Sequence, residues 1–327
     1  MRPRSGMPGR GLFAVLGLAL LPGGARAFGL QLPVDCTLGE TCYIQHYVDR
    51  DPGPGVRDFG CGTASYDGHD GTDFALPSRA AMRVGVAVLA AAPGRVRGLR
   101  DGEADGAYLS GQSVANKECG NGVVIDHADG WQTQYCHLRQ GSVSVAVGQE
   151  VAAGAPLGLV GLSGLAEFPH LHLSVRHDGE ELDPFLPSVA DSCTTAPSDS
   201  LWQSPVPYVG GGLLRAGLTS APPDYEAVKD GGESPATFPH DAPALVVWAY
   251  GFDSREGDSL TLRITGPAGF AFDHQTVFEK PKALFMRYGG KRAPAGGFTP
   301  GVYKAEVILT RDGAELSRQT HLAEILP

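Results

Sequence analysis

The sequence predicts an all-β protein, an antiparallel β-sheet domain followed by a β-sandwich domain of immunoglobulin-like type. Three observations carry this. Residues 60–187 show almost no helical periodicity, and short apolar runs alternate there with glycine-rich turns. The tail holds four apolar stretches, 245–252, 259–264, 282–288 and 302–310, with Gly, Pro and Asp turns between them. A length of 327 residues is enough for two domains.

In chain order, residues 1–27 read as a secretory signal. Arg2, Arg4 and Arg10 give a basic start, 12–21 is apolar, and Ala25-Arg26-Ala27 fits a small-x-small cleavage site. The apolar run is too short to span a bilayer and none like it follows, so no stable membrane insertion is expected. The mature chain is expected to be exported, periplasmic or secreted. Residues 28–60 read as a loop-rich lead-in, with a turn cluster at 49–55. The first domain spans 61–187. Its expected strands are 82–90 and 95–99, then a long polar loop at 101–118, then a hairpin of 122–127 and 131–137. The second hairpin strand would set Thr133, Tyr135 and His137 on one face. Short strands at 143–147 and 149–151, a glycine-broken strand at 154–161 and a strand at 169–175 complete it. Residues 188–210 read as a linker and 211–327 as the β-sandwich domain, whose role the sequence leaves open.

Loss of the signal removes four arginines and no acid, and takes the formal charge from −10 to −14. Such a chain is not a nucleic-acid binder and gains nothing from an anionic membrane surface. All six cysteines fall between residues 36 and 193, and an even count in an exported chain reads as disulfides. Cys119 and Cys136 flank the hairpin and are the favoured pair. Cys36, Cys42, Cys61 and Cys193 would then tie the ends of the first domain together.

The chemistry centres on His170-Leu171-His172. In a strand, residues two apart point to one face, so both imidazoles look into one place and the leucines into the core. His69 and Asp73, four apart in a glycine-rich stretch, share a side, and His137 ends the hairpin strand. Catalytic zinc takes three protein ligands from His, Asp and Glu. Two histidines and a carboxylate meet that count and leave two imidazoles to move protons near neutral pH. No HExxH occurs, so a helical zinc-protease site is excluded. His46, His127, His177, His240, His274 and His321 are scattered and read as surface or turn residues, and Asp67 and Asp70 as solvated loop acids.

Three motifs appear in order: His69-x-Gly71-x-Asp73, Tyr135-Cys136-His137-Leu138, and Pro169-His170-Leu171-His172. With the glycine string between 148 and 164, they resemble the lysostaphin/LytM-type zinc metallopeptidases, peptidoglycan DD-endopeptidases of the duplicated-hybrid-motif fold. The resemblance covers about residues 66–185. It implies one Zn2+ per chain held by His69, Asp73 and His172, with His137 and His170 as the catalytic pair. It implies a zinc metalloendopeptidase, a murein hydrolase that cuts peptide cross-links of bacterial peptidoglycan in cell-wall remodelling. The alternatives are a non-catalytic murein-binding or amidase-activating protein, and a zinc D,D-carboxypeptidase. The bond cut, the division of labour between His137 and His170, the oligomeric state and any regulating partner are not written in the sequence.

Overall fold

A computed structural model describes Met1 and residues 28–188, 193–232 and 234–327; the expected signal segment lies outside the described residues. Among the described residues no helix is long and apolar enough to cross a membrane. The fold is all-β, as expected, with two large hydrophobic cores.

The first unit runs through β1 (Tyr43–His46), β2 (Thr72–Ala75), α1 (Arg79–Val84), β3 (Ala87–Leu89), β4 (Gly94–Arg100) and β5 (Asn121–Asp126). It continues with β6 (Trp131–Leu138), β7 (Glu150–Val151), β8 (Pro156–Leu159), β9 (His170–His177) and β10 (Glu180–Leu182). One sheet takes the order β1-β2-β9-β6-β5-β4-β7, with β10 added to β9, and β3 pairs β8 in a separate ribbon. Every named pair in this unit is antiparallel. In β9, Leu171, Leu173 and Val175 are buried in the core and His170, His172 and Ser174 take the opposite face.

Four of the expected segments need correction. The strand expected at 82–90 begins as α1, because the Ser78 side chain accepts from Ala81 N–H and caps a short helix that Gly85 (φ 95°) ends. No strand forms at 143–147. The lead-in supplies β1, an edge strand of the main sheet with all four residues buried. The segment read as a linker packs back: Trp202 is buried in the first core, and Gln203 N–H donates to the Leu30 carbonyl at 2.8 Å.

Three disulfides staple this unit. Cys119 is bonded to Cys136, and Cys61 to Cys193 across 132 positions. Cys36 does not reach across the domain as expected. It pairs with Cys42 and closes a local turn.

The second unit comprises β11 (Gly212–Thr219), α2 (Tyr225–Asp230), β12 (Thr237–Pro239), β13 (Ala244–Ser254) and β14 (Ser259–Thr265), then β15 (Ala271–Val277), β16 (Lys282–Arg292), β17 (Gly301–Arg311) and β18 (Ala314–Leu326). Sheets β11-β13-β16 and β12-β18-β17-β14-β15 contribute to one apolar core, Leu245, Val247 and Phe285 from the first and Leu262, Tyr303 and Val307 from the second. β12 runs parallel to β18, the one departure from antiparallel pairing among the named pairs.

The units touch firmly. Arg79 and Arg83 of α1 pair with Glu226 and Asp230 at 3.0 and 2.8 Å, and Gln45 Nε2 donates to the Ala283 carbonyl at 2.9 Å. Tyr43, Ala75 and Phe252 form a small core of their own between them, with Phe168, Leu214 and Leu284 against it.

Candidate functional site

Strand pairing assembles the site. β2 and β9 lie side by side with Asp73 opposite His172, so one carboxylate and one imidazole meet across the ladder. His69 reaches them from the turn before β2. One ligand atom each from His69, Asp73 and His172 fall within 4.8 Å of one another, and all three residues are buried. Asp73 Oδ1 lies 3.2 Å from His69 Nε2 and 3.0 Å from His172 Nδ1, and those two nitrogens are 3.2 Å apart. Gly71 permits the close approach: a Cβ there would meet His172 Nε2 at 2.5 Å and the Leu173 carbonyl oxygen at 2.8 Å.

The outward atoms of all three residues are engaged. His69 Nδ1 lies 2.7 Å from the Tyr47 carbonyl oxygen, which can only accept, so Nδ1 carries the proton and Nε2 faces inward as a lone pair. His172 Nε2 is 3.1 Å from Ser174 Oγ and 3.2 Å from Asp70 Oδ1, so its inward atom is Nδ1. Asp73 Oδ2 accepts from His46 Nδ1 at 3.0 Å. These outer partners fix ring orientation and tautomer, as they do around protein metal sites.

The other two predicted residues stand beside this trio. His170 Nδ1–H donates to the Phe168 carbonyl at 2.8 Å, and its Nε2 lies 3.6 Å from Asp73 Oδ1. His137 Nδ1–H donates to the Ser163 carbonyl at 2.8 Å, and its ring centroid is 4.5 Å from that of His170. Alternation along β6 would put His137 with Thr133 and Tyr135, which are core residues. The structure corrects that expectation. The β5–β6 register shifts between Asn121 and Val123, and His137 takes a left-handed φ of 64°. This bulge turns His137 onto the site face, and its N–H donates to the Cys119 carbonyl at 2.8 Å.

Electrostatics separate the imidazoles. Burial, then the facing His170 and His172, pushes His137 well below the usual histidine value. Burial also lowers His170, against the pull of Asp73. For His172 burial opposes protonation, but the hydrogen bonds to Asp70 and Asp73 outweigh it and raise it to about 9. Burial works against the Asp73 carboxylate too, yet His69, His170, His172 and His46 together hold it well below the carboxylate range.

Two of these residues were read as bystanders. His46 is 9% exposed and braces Asp73. Asp70, half-exposed, holds His172. The signal for His46 was its place in Tyr43-Ile44-Gln45-His46, an apolar-flanked run inside a segment otherwise full of turns.

Residues 67–184 match the sequence profile of Peptidase family M23. This segment is a Peptidase family M23 domain. The chain is 45% identical over 58 residues to the cell division protein DipM of Caulobacter vibrioides, 18% of this chain and 9% of that protein. It is 34% identical over 109 residues to the peptidoglycan DD-endopeptidase ShyA of Vibrio cholerae, 32% of this chain and 19% of that one. It is 42% identical over 65 residues to the DD-carboxypeptidase/endopeptidase Mpg of Neisseria meningitidis, 20% and 14% of the two chains. The chain thus spans less than a fifth of the length of each of these relatives. All five residues singled out from the sequence lie within the M23 domain; His46 lies outside it.

Proposed function

We propose that this chain is a zinc-dependent endopeptidase that hydrolyses peptide cross-links of bacterial peptidoglycan outside the cytoplasm. The observation that carries the reading is the trio of buried donors with two further imidazoles beside it, inside an M23 domain. Two curated relatives are named for peptidoglycan or DD-peptide cleavage. Three disulfides support an oxidising compartment.

His69, Asp73 and His172 are the proposed zinc ligands. Tetrahedral zinc with bonds of about 2.0–2.1 Å to nitrogen and oxygen keeps its ligand atoms about 3.3 Å apart. The observed separations of 3.0–3.2 Å suit it, and two imidazoles with one carboxylate are a donor set found in catalytic zinc sites. When bound, the metal supplies Lewis-acid polarisation of the scissile carbonyl and acidifies an attacking water.

The chain's own groups do the rest. His137 and His170 are both held as Nδ1–H tautomers by backbone carbonyls, so each keeps an Nε2 lone pair, that of His170 3.6 Å from Asp73 Oδ1. Burial keeps them neutral and able to accept a proton. One takes the proton from the attacking water. The imidazolium so formed stabilises the developing oxyanion and passes that same proton to the leaving amine, directly or through the other imidazole, whose ring centroid is 4.5 Å away. His46 and Asp70 orient Asp73 and His172.

The experiment uses the purified chain and isolated murein. We expect about one zinc per chain and release of peptide ends. His172→Ala should lose both metal and activity. His170→Ala should keep the metal and lose turnover about 10²–10⁴-fold, the usual scale of general acid–base catalysis. A wild-type chain that binds no metal and cleaves no murein sinks the proposal. Mass analysis of products from cross-linked and monomeric muropeptides separates endopeptidase from carboxypeptidase action.

A further inference from the structure

Two cavities flank the His69–Asp73–His172 centre. One, of about 180 Å³, is lined by Tyr66, Asp70, His137, His172 and Arg176, all from the first unit. The other, of about 390 Å³, has mixed walls. His46, Glu167 and Phe168 come from the first unit, and Tyr225, Lys229 and Leu284 from the second. The first-unit wall is continuous with the centre: His46 donates to Asp73, and the Phe168 ring lies 4.5 Å from the His170 ring. The second-unit wall is fastened by the Arg79–Glu226 and Arg83–Asp230 pairs and by the bond from Gln45 to the Ala283 carbonyl.

An endopeptidase must hold its chain on both sides of the bond it cuts. The M23 domain, with the adjoining Tyr66, builds the Arg176-side cavity; the His46–Phe168 side is not closed without α2 and β16. We propose that the second unit forms the substrate subsite on that side, taking one or two residues of an extended peptide that directs a carboxylate toward Lys229. This rests on the peptidase reading above.

The chemistry of the walls sets the class of ligand. Phe168 and Tyr225 offer aromatic faces to a peptide backbone. Lys229 Nζ sits 5.2 Å over the Tyr225 ring and 3.0 Å from Glu226 Oε1. The other carboxylate oxygen of Glu226 is paired with Arg79, so Glu226 keeps a cation when Lys229 turns to an incoming carboxylate. Glu167, exposed on the first-unit wall, accepts from a peptide N–H and repels a second acid, which gives the peptide a direction.

The test uses the full chain loaded with zinc, and cross-linked muropeptides with free or amidated carboxyls. Kinetics, direct binding by calorimetry, zinc content and melting are measured for wild type, Tyr225→Ala and Lys229→Gln. We expect Tyr225→Ala to lower kcat/KM about tenfold, almost wholly through KM, the scale of one lost pocket contact. Wild type should prefer the free-carboxyl form about tenfold, and Lys229→Gln should lose that preference, with zinc content unchanged for both. If Tyr225→Ala melts early, Lys229→Gln alone decides through its selectivity. Wild type that cleaves, with both variants matching it in KM and selectivity, overturns the subsite and leaves the peptidase reading standing. Wild type that neither binds nor cleaves any muropeptide overturns both.

Discussion

The two units bury very different interiors. In the first, His46, His69, Asp73, His137, His170 and His172 all lie under cover, with Gln45, Asn121, Thr133 and Ser174 beside them. In the second, the core between the sheets is almost wholly apolar, and among the described residues the buried polar side chains reduce to Thr219, Asp253, Ser254 and Asp258. Every buried polar group carries a desolvation cost that its hydrogen bonds only partly offset. The unit that holds the histidine cluster is also the one with all three disulfides, and the second unit has no cysteine. The difference teaches that the covalent ties stand in the unit that carries the desolvation cost of the buried polar groups.

The largest effect should come from breaking the long tie. A cross-link constrains the unfolded chain more as its loop grows. Cys61–Cys193 closes 132 positions and Cys36–Cys42 only 6. Loop entropy then gives about 5 kcal/mol for the first and about 2 kcal/mol for the second. Replacing Cys61 and Cys193 together by Ser should lower the denaturation midpoint far more than replacing Cys36 and Cys42. Hydrogen exchange should place the loss in 28–188 and leave β13 and β14 protected. Equal losses for the two pairs, or loss spread evenly over both units, would break the comparison.

The next effect lies inside the site and marks where sequence reading stopped. His170 and His172 were legible as a pair because alternation sets both on one face, whereas the choice of His69, Asp73 and His172 as ligands came with the resemblance, and the register that sets Asp73 opposite His172 is seen only in the structure. His46 was not legible, because β1 shows no alternation: all four residues are buried, between a partner strand and the second unit. The aim of His137 was hidden for another reason, since a bulge cancels the alternation that a sequence argument relies on. α1 was missed because a cap at Ser78 decided it against an apolar run that reads as strand. In the second unit the stretches at 245–252 and 302–310 were plain, but nothing in them says that α2 and β16 approach the site. His46→Ala should therefore weaken zinc binding about 10–100-fold, measured against a competing chelator, because Asp73 loses the partner that orients it. Lys229→Gln in the second unit should leave that affinity alone. Wild-type metal affinity in His46→Ala would remove its orienting role.

The smallest effect sharpens the comparison at two buried carboxylates, one in each unit. Asp258 receives Arg311 through two nitrogens, at 2.9 and 2.8 Å. Asp183, where the chain leaves β10, has Arg50 Nη1 only at 3.6 Å from Oδ2, while its Oδ1 accepts from Phe185 N–H at 2.9 Å. Burial raises the Asp183 carboxyl to about 6 against those weaker stabilising contacts. An acid whose folded value lies above its unfolded one favours the folded state while protonated. Its contribution is full below about pH 4 and is lost as the pH rises through 6. Asp183→Asn keeps the oxygen that accepts from Phe185 and removes the charge. Its melting temperature, compared with wild type from pH 4 to 7, should fall behind less and less and then lead by about 2–4 °C, the change that about 1 kcal/mol makes in a chain of this class. Parallel curves for the two proteins across that window would mean that Asp183 is paired in solution as well as Asp258 is.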